Sequence, residues 1–302
     1  MALTRRRLLA GMAAGASRAA AQERSANGPK PRTTPAVCLY SRALVKVPYD
    51  ELGDVLRSLG VDGCDLSVEP GGHVTPEDVS PGVMRAIEAI TGVGLDVFVV
   101  STACTSLQDP TIRTIAGFAG EMGVPLFRAG RWEYGPNPEA RLAEVQRDIS
   151  GLAALARAAG MTVVLQNVAG ENVGEALWDF NLLIRGMEPR TVGYDFDIGY
   201  ATAEGGVGGW SVALRMVLPR LRMVSVRDFA WSKDSAGKWH PAPCPLGEGM
   251  VNWGELFAAL ARVRFAGPIS IQVDYQPKDE IAAVRQSVAF VRKHLSAAYG
   301  TG

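Results

Sequence analysis

The sequence predicts an α/β fold of the (β/α)8 TIM-barrel type. Two observations carry this reading. From residue 36 onward, short and nearly continuous apolar, β-branched runs alternate eight times with amphipathic stretches. Several of those stretches stop at a glycine directly before the next run, as at Gly60, Gly94, Gly123 and Gly160. Strands that are apolar along their whole length are those covered on both faces, as in a parallel sheet wrapped by helices. Glycine ends a helix because it takes up the left-handed conformation without a Cβ penalty. Eight such units suit a closed barrel. An open doubly wound sheet more often has a glycine-rich turn after its first strand, whereas here that strand runs into SRALVKVPYD.

The expected strands are 36–42 (AVCLYSR), 63–68 (GCDLSV), 95–102 (LDVFVVST) and 124–130 (VPLFRAG), followed by 161–168 (MTVVLQNV), 192–198 (VGYDFDI), 222–228 (RMVSVRD) and 267–275 (GPISIQVDY). Between them, residues 138–159 place Leu142, Val145, Ile149, Leu152, Leu155 and Ala156 at spacings of three and four, the period of a helix with one buried face. Residues 280–296 repeat the pattern with Ile281, Val284, Val288, Val291 and Leu295.

Composition narrows the function. The chain has 302 residues, 47% hydrophobic and 21% charged, enough to bury a large core. Its 31 basic and 31 acidic residues cancel, which argues against a nucleic-acid binder. No apolar run reaches the roughly 18 residues of a membrane span. Cys38, Cys64, Cys104 and Cys244 show no Cys-x-x-Cys spacing and read as buried thiols.

Residues 1–21 (MALTRRRLLAGMAAGASRAAA) read as an address. A basic cluster, Arg5 to Arg7, precedes a weakly apolar Ala/Gly-rich stretch and a run of small residues, the order of an export signal. The twin arginines with Leu8 and Leu9 point to the twin-arginine route and a periplasmic or extracellular location. Cleavage after Ala21 leaves 27 basic against 31 acidic residues, a net −4. Residues 22–35 are a polar linker, and residues 36–298 form a single barrel domain.

In a barrel of this kind chemistry gathers at the C-terminal ends of the strands. Those ends carry Glu69 and His73 after the second strand, and Arg128, Arg131, Trp132, Glu133 and Tyr134 at the fourth. They carry Gln166 and Asn167 at the fifth, Asp195 and Asp197 at the sixth, Arg227 and Asp228 at the seventh, and Gln272, Asp274 and Tyr275 at the eighth. Carboxylates and amides inside apolar strands are costly to bury unpaired. They form either a polar pocket or a salt-bridge layer plugging the barrel mouth, and the sequence leaves both open.

The segments GCDLSVEPGGHVTPEDV, QNVAGENVGEALWDF, FDIGYATAEGG, VSVRDFAW and CPLGEGMVNW, in this order, resemble the sugar phosphate isomerase/epimerase family of xylose isomerase-like barrels. The resemblance runs from about residue 36 to 297, and Leu246-Gly247-Glu248-Gly249 with Val251-Asn252-Trp253 is its most specific piece. It implies a divalent metal held by side chains of strands five to eight, at positions that here carry Gln166, Asp197, Ser225 and Asp274. Asp197 keeps the implied residue, Asp274 keeps a carboxylate on a shorter stem, Gln166 brings only an amide oxygen, and Ser225 is a poor ligand. Tyr200 stands where the family often has histidine. With only three histidines in the chain, a His-rich zinc centre of the endonuclease IV kind is excluded, leaving an oxygen-rich site suited to Mn²⁺ or Mg²⁺.

The chemistry the resemblance implies is proton transfer at a carbon next to a carbonyl. Asp274 is the expected base, with Glu69, His73 and, less well, Glu248 as candidates for the second acid or base. Arg131, Arg227 and Asn167 are expected polyol or anion contacts, and Trp132 a sugar-stacking face. Trp178 and Trp253 read as packing residues, and His294 as solvated. The leading expectation is a sugar isomerase or epimerase acting on a non-phosphorylated small-molecule substrate. The alternatives are a 3-keto-sugar lyase or hydratase, and a non-catalytic carbohydrate-binding barrel. A homo-oligomer is compatible with each.

Overall fold

The computed structural model describes residues 32–300, so the export signal expected at residues 1–21 lies outside the described residues. In chain order the strands are β1 (Val37–Tyr40), β2 (Gly63–Val68), β3 (Asp96–Thr102), β4 (Leu126–Arg128), β5 (Thr162–Gln166), β6 (Val192–Asp197), β7 (Leu221–Val226), β8 (Asp228–Lys233), β9 (Trp239–Cys244) and β10 (Ile269–Ile271). Eight of them close a parallel barrel in the order β1-β10-β7-β6-β5-β4-β3-β2. All eight expected strands are present: Gly63–Val68 keeps its expected ends, the seventh begins one residue earlier, and the other ends match or are shorter by up to four residues.

The barrel is wrapped by α1 (Tyr49–Ser58), α2 (Val79–Gly92), α3 (Ile112–Glu121), α4 (Pro138–Ala158), α5 (Trp178–Ile184), α6 (Ile198–Gly205), α7 (Gly209–Val217), α8 (Trp253–Arg262) and α9 (Glu280–Tyr299). Their starts follow local chemistry. Asn137, Asp279 and Asn252 accept the backbone N–H groups of Ala140, Ala282 and Glu255 at 3.0–3.2 Å, satisfying donors that a helix start leaves free. The four glycines singled out as helix stops all have positive φ, between 76° and 85°. On α4 the buried residues are Val145, Ile149, Leu152, Ala153 and Ala156, the face that the spacing predicts.

Inside the barrel, Val99, Leu126, Val164 and Met223 form a small apolar cluster of their own, apart from the main core between strands and helices. The polar residues of the strands stack above it. One element has no counterpart in the sequence reading: β8 and β9 form an antiparallel hairpin projecting from the end of β7. Its turn is stabilised by the Asp234 carboxylate, which accepts the Ala236 and Lys238 N–H groups at 2.9 Å. Pro241 and Pro243 break up the apolar alternation that would have marked β9.

Two readings of exposure need correction. Trp178 is half exposed at the start of α5 rather than packed. His294 is not simply solvated: its ring stacks on Phe257, with centroids 5.3 Å apart, and tilts against Phe290.

Candidate active site at the barrel mouth

The polar residues fall into two tiers with different roles. The lower tier is centred on Arg128 at the end of β4. Its guanidinium donates to Asp65 of β2 at 2.6 Å and to Asp195 of β6 at 2.7 Å, spanning the barrel interior. Ser225 bridges Arg128 and Asp195 at 3.2 and 2.9 Å, while Ser270 and Ser101 donate to Asp65. Gln272 donates to Ser270 at 2.9 Å. All of these are buried. Burial raises the pKa of Asp195 to about 6 against the pull of Arg128. This tier is the salt-bridge plug that the sequence left open, set below the mouth.

The upper tier is organised by Arg227, just past β7. Its Nε donates to Asp197 at 2.7 Å, and its Nη1 donates to the Tyr200 hydroxyl at 2.9 Å and to Asp274. The Tyr200 ring lies against the guanidinium at 4.1 Å, a cation–π contact that fixes its plane. Asp197 is fully buried and divided between two tasks. Its Oδ1 caps α6 by accepting the Tyr200 N–H at 3.0 Å, and its Oδ2 accepts from Arg227 and from Gln166 at 3.2 Å. Burial raises the Asp197 pKa, with Arg227 opposing. Burial likewise works against the Arg227 cation, but Asp197 and Tyr200 outweigh it and raise its pKa. Among the described residues, Arg227 Nη2 has no hydrogen-bond partner.

On the β1–β2 side, Tyr40 donates its hydroxyl to Glu69, which Arg42 also contacts at 3.2 Å. The Tyr40 ring packs on the Arg128 guanidinium at 5.0 Å and so ties the two tiers together. Burial is the main reason the Tyr40 pKa lies above the ordinary phenol value, so its hydroxyl stays a proton donor near neutral pH. Tyr40 was not among the expected site residues. Its signal was its place as the last apolar residue of the first strand, with Arg42 two residues on.

Other expected site residues are placed elsewhere. His73 is buried beneath the loop after β2, where its backbone N–H donates to Ser67 at 2.7 Å. Its Nδ1 lies 3.3 Å from the Ser41 carbonyl and its ring 5.7 Å from that of Tyr49. Its Nε2 is buried without a partner, and burial lowers its pKa below the ordinary value. The Ser67 and Ser41 contacts tie His73 into the loop after β2, away from the Arg227 cluster. Asn167 is fully buried and exchanges hydrogen bonds with the Asp197 backbone at 3.0 and 2.8 Å, so it positions Asp197. Trp132 is buried in the wall, its indole N–H on the Thr105 carbonyl at 3.1 Å, and offers no stacking face. Arg131 and Glu248 are exposed on loops.

The mouth thus brings together Gln166, Asp197 and Asp274, the residues that the resemblance aligned with metal ligands. Their donor set does not fit a divalent cation. The Asp197 and Asp274 oxygens that converge are taken by the Arg227 guanidinium, Gln166 turns its amide N–H toward Asp197, and Ser225 belongs to the lower tier. Among the described residues no three His, Cys, Asp or Glu side chains converge as a metal site.

Comparison with known proteins places this barrel. The profile of the xylose isomerase-like TIM barrel family matches residues 111–294. The chain belongs to that family. No curated protein sequence matches it. Among solved structures, xylose isomerase-like barrels share its fold. An L-ribulose 3-epimerase superposes with a TM-score of 0.66 at 17% identity, covering 87% of this chain and 95% of that one. A 3-keto-D-glucoside 4-epimerase from E. coli gives 0.66 at 16%, covering 86% and 99%. A xylose isomerase-like barrel from Mycobacterium smegmatis, in complex with magnesium, gives 0.64 at 16%, covering 88% and 98%.

Proposed function

We propose that this xylose isomerase-like barrel is a sugar isomerase or epimerase that transfers a proton next to a carbonyl of a non-phosphorylated sugar or sugar derivative. The observation that carries the reading is the pairing at the mouth. A carboxylate–phenol pair, Glu69 with Tyr40, and a carboxylate–guanidinium pair, Asp274 with Arg227, stand at neighbouring strand ends. They rise from β2, β1, β10 and β7, four consecutive neighbours around the barrel. Glu69 and Asp274 stand two strands apart, roughly 10 Å between strand axes, a gap that admits a sugar carbon chain.

In this scheme Asp274 takes the proton from the carbon beside the carbonyl. The electron pair moves onto the carbonyl oxygen, where Arg227 Nη2 meets the developing negative charge. Tyr40, supported by Glu69, returns a proton to the opposite face, giving the epimer, and solvent restores the starting protonation. The epimerases of sugars and keto-glucosides among its fold relatives support the substrate class. The arginine-led segment at residues 1–21 supports an exported enzyme, for which unphosphorylated sugars are the accessible substrates.

The test is proton NMR of the purified chain in D₂O with ketoses and 3-keto-glycosides. Deuterium appearing at the carbon next to the carbonyl, together with the epimer, supports the proposal. Loss of a leaving group with a new double bond replaces it by the lyase reading. Binding without exchange on any substrate replaces it by the carbohydrate-binding barrel.

A further inference from the structure

The side chains at the mouth have the outline of a metal site and the wrong occupant. Asp197, Asp274 and Gln166 come from three different strand ends and join in one network, Gln166 donating to Asp197 and Arg227 bridging Asp197 to Asp274. What lies there is a guanidinium held on one face by the Tyr200 ring and at Nε and Nη1 by both carboxylates. Only 12% of the Arg227 side chain is exposed, and the Asp197 side chain is fully buried. A carboxylate as enclosed as Asp197 needs a cation, because an unpaired buried charge is expensive. A divalent ion would bring two positive charges into contact with a guanidinium that is permanently charged.

We infer that the mouth is a latent divalent-cation site held shut by Arg227, the guanidinium serving as the fixed cation of the site. The inference is independent of the reaction proposed above, because it concerns what Asp197 and Asp274 can bind. Its corollary is that removing the guanidinium, not adding ligands, opens the site. Two carboxylates and an amide oxygen then become available, an oxygen set suited to Mn²⁺ with water completing the shell.

The experiment is titration of the chelator-treated full chain with Mn²⁺, followed by calorimetry and by the loss of the free-ion EPR signal. Wild type is expected to show no saturable binding at millimolar Mn²⁺. Arg227→Ala is expected to gain one saturable site, lost again in the Arg227→Ala/Asp197→Asn double variant. Arg227→Met, which keeps the apolar stem, is the second test of the same gain, and near-UV circular dichroism checks that each variant is folded. Saturable binding by wild type that disappears in Asp197→Asn would overturn the inference, since the site would then be open. Folded Arg227→Ala and Arg227→Met proteins that both fail to bind would overturn it too, since no latent site would exist. Neither readout depends on turnover.

Discussion

Arg227 and Asp228 are consecutive in the chain and never pair. Arg227 turns into the mouth toward Asp197 and Asp274. Asp228 turns outward and gathers the backbone N–H groups of Gly247, Gly249 and Val251 at 2.9–3.2 Å, its neighbour's N–H at Phe229, and the Trp253 indole at 3.1 Å. The ion pair that their adjacency allows is replaced by two separate structures. One is the cation of the mouth and the other is the anchor of the 246–253 loop. Gly249 is glycine because a Cβ there would sit 2.2 Å from Asp228 Oδ1.

That anchoring gives the first prediction. Asp228→Ala strips five donors of their shared acceptor and is expected to cost about 3 kcal/mol of stability. Urea unfolding monitored by tryptophan fluorescence measures it. An unchanged midpoint would show that water replaces the carboxylate without loss.

The lower tier gives the second. Arg128→Met leaves Asp65 and Asp195 facing one another in the barrel without a cation, and should destabilise the fold by about 3–5 kcal/mol. The triple change with Asp65→Asn and Asp195→Asn should recover part of that loss. A single Arg128→Met variant as stable as wild type would mean that the plug is not an ion-pair structure.

At the mouth, Arg227→Ala is expected to lower kcat about 10²–10³-fold by removing the donor for the developing oxyanion. Asp274→Asn should abolish turnover while the melting temperature stays close to wild type. Equal kcat in Asp274→Asn would remove it from the role of base.

The fourth concerns pH. Burial holds the folded pKa of His73 below the ordinary 6.5, while the unfolded chain keeps the ordinary value. The stability this contributes is fully present above pH 6.5 and falls away as pH drops through the folded pKa, because the unfolded state binds the proton first. His73→Gln should flatten that acid limb, as read from unfolding free energies between pH 7.5 and 5. An unchanged slope would assign it to other groups.

The sequence by itself determined the barrel. The mostly apolar strands are satisfied between helices and a closed interior, and glycines such as Gly60 and Gly160 stop several of the helices just before the next strand begins. It also determined which strand ends carry charge, because a carboxylate in an apolar run such as Asp195 or Asp197 has few places to go. The hairpin Asp228–Cys244 stayed hidden because its prolines and its polar turn erase the strand period. Which charges pair was decided only by tertiary structure. Asp65, Arg128 and Asp195 are up to 130 residues apart and meet because alternate strands point their side chains into one narrow interior. His73 and Asn167 read as site residues by position, and the structure buries both, with the Asn167 amide bound to the Asp197 backbone. Arg227 reads from the sequence as a polyol or anion contact, and only the closed barrel brings it to both Asp197 and Asp274. Pairing in a barrel is a property of the ring of strands, and spacing along the chain does not encode it.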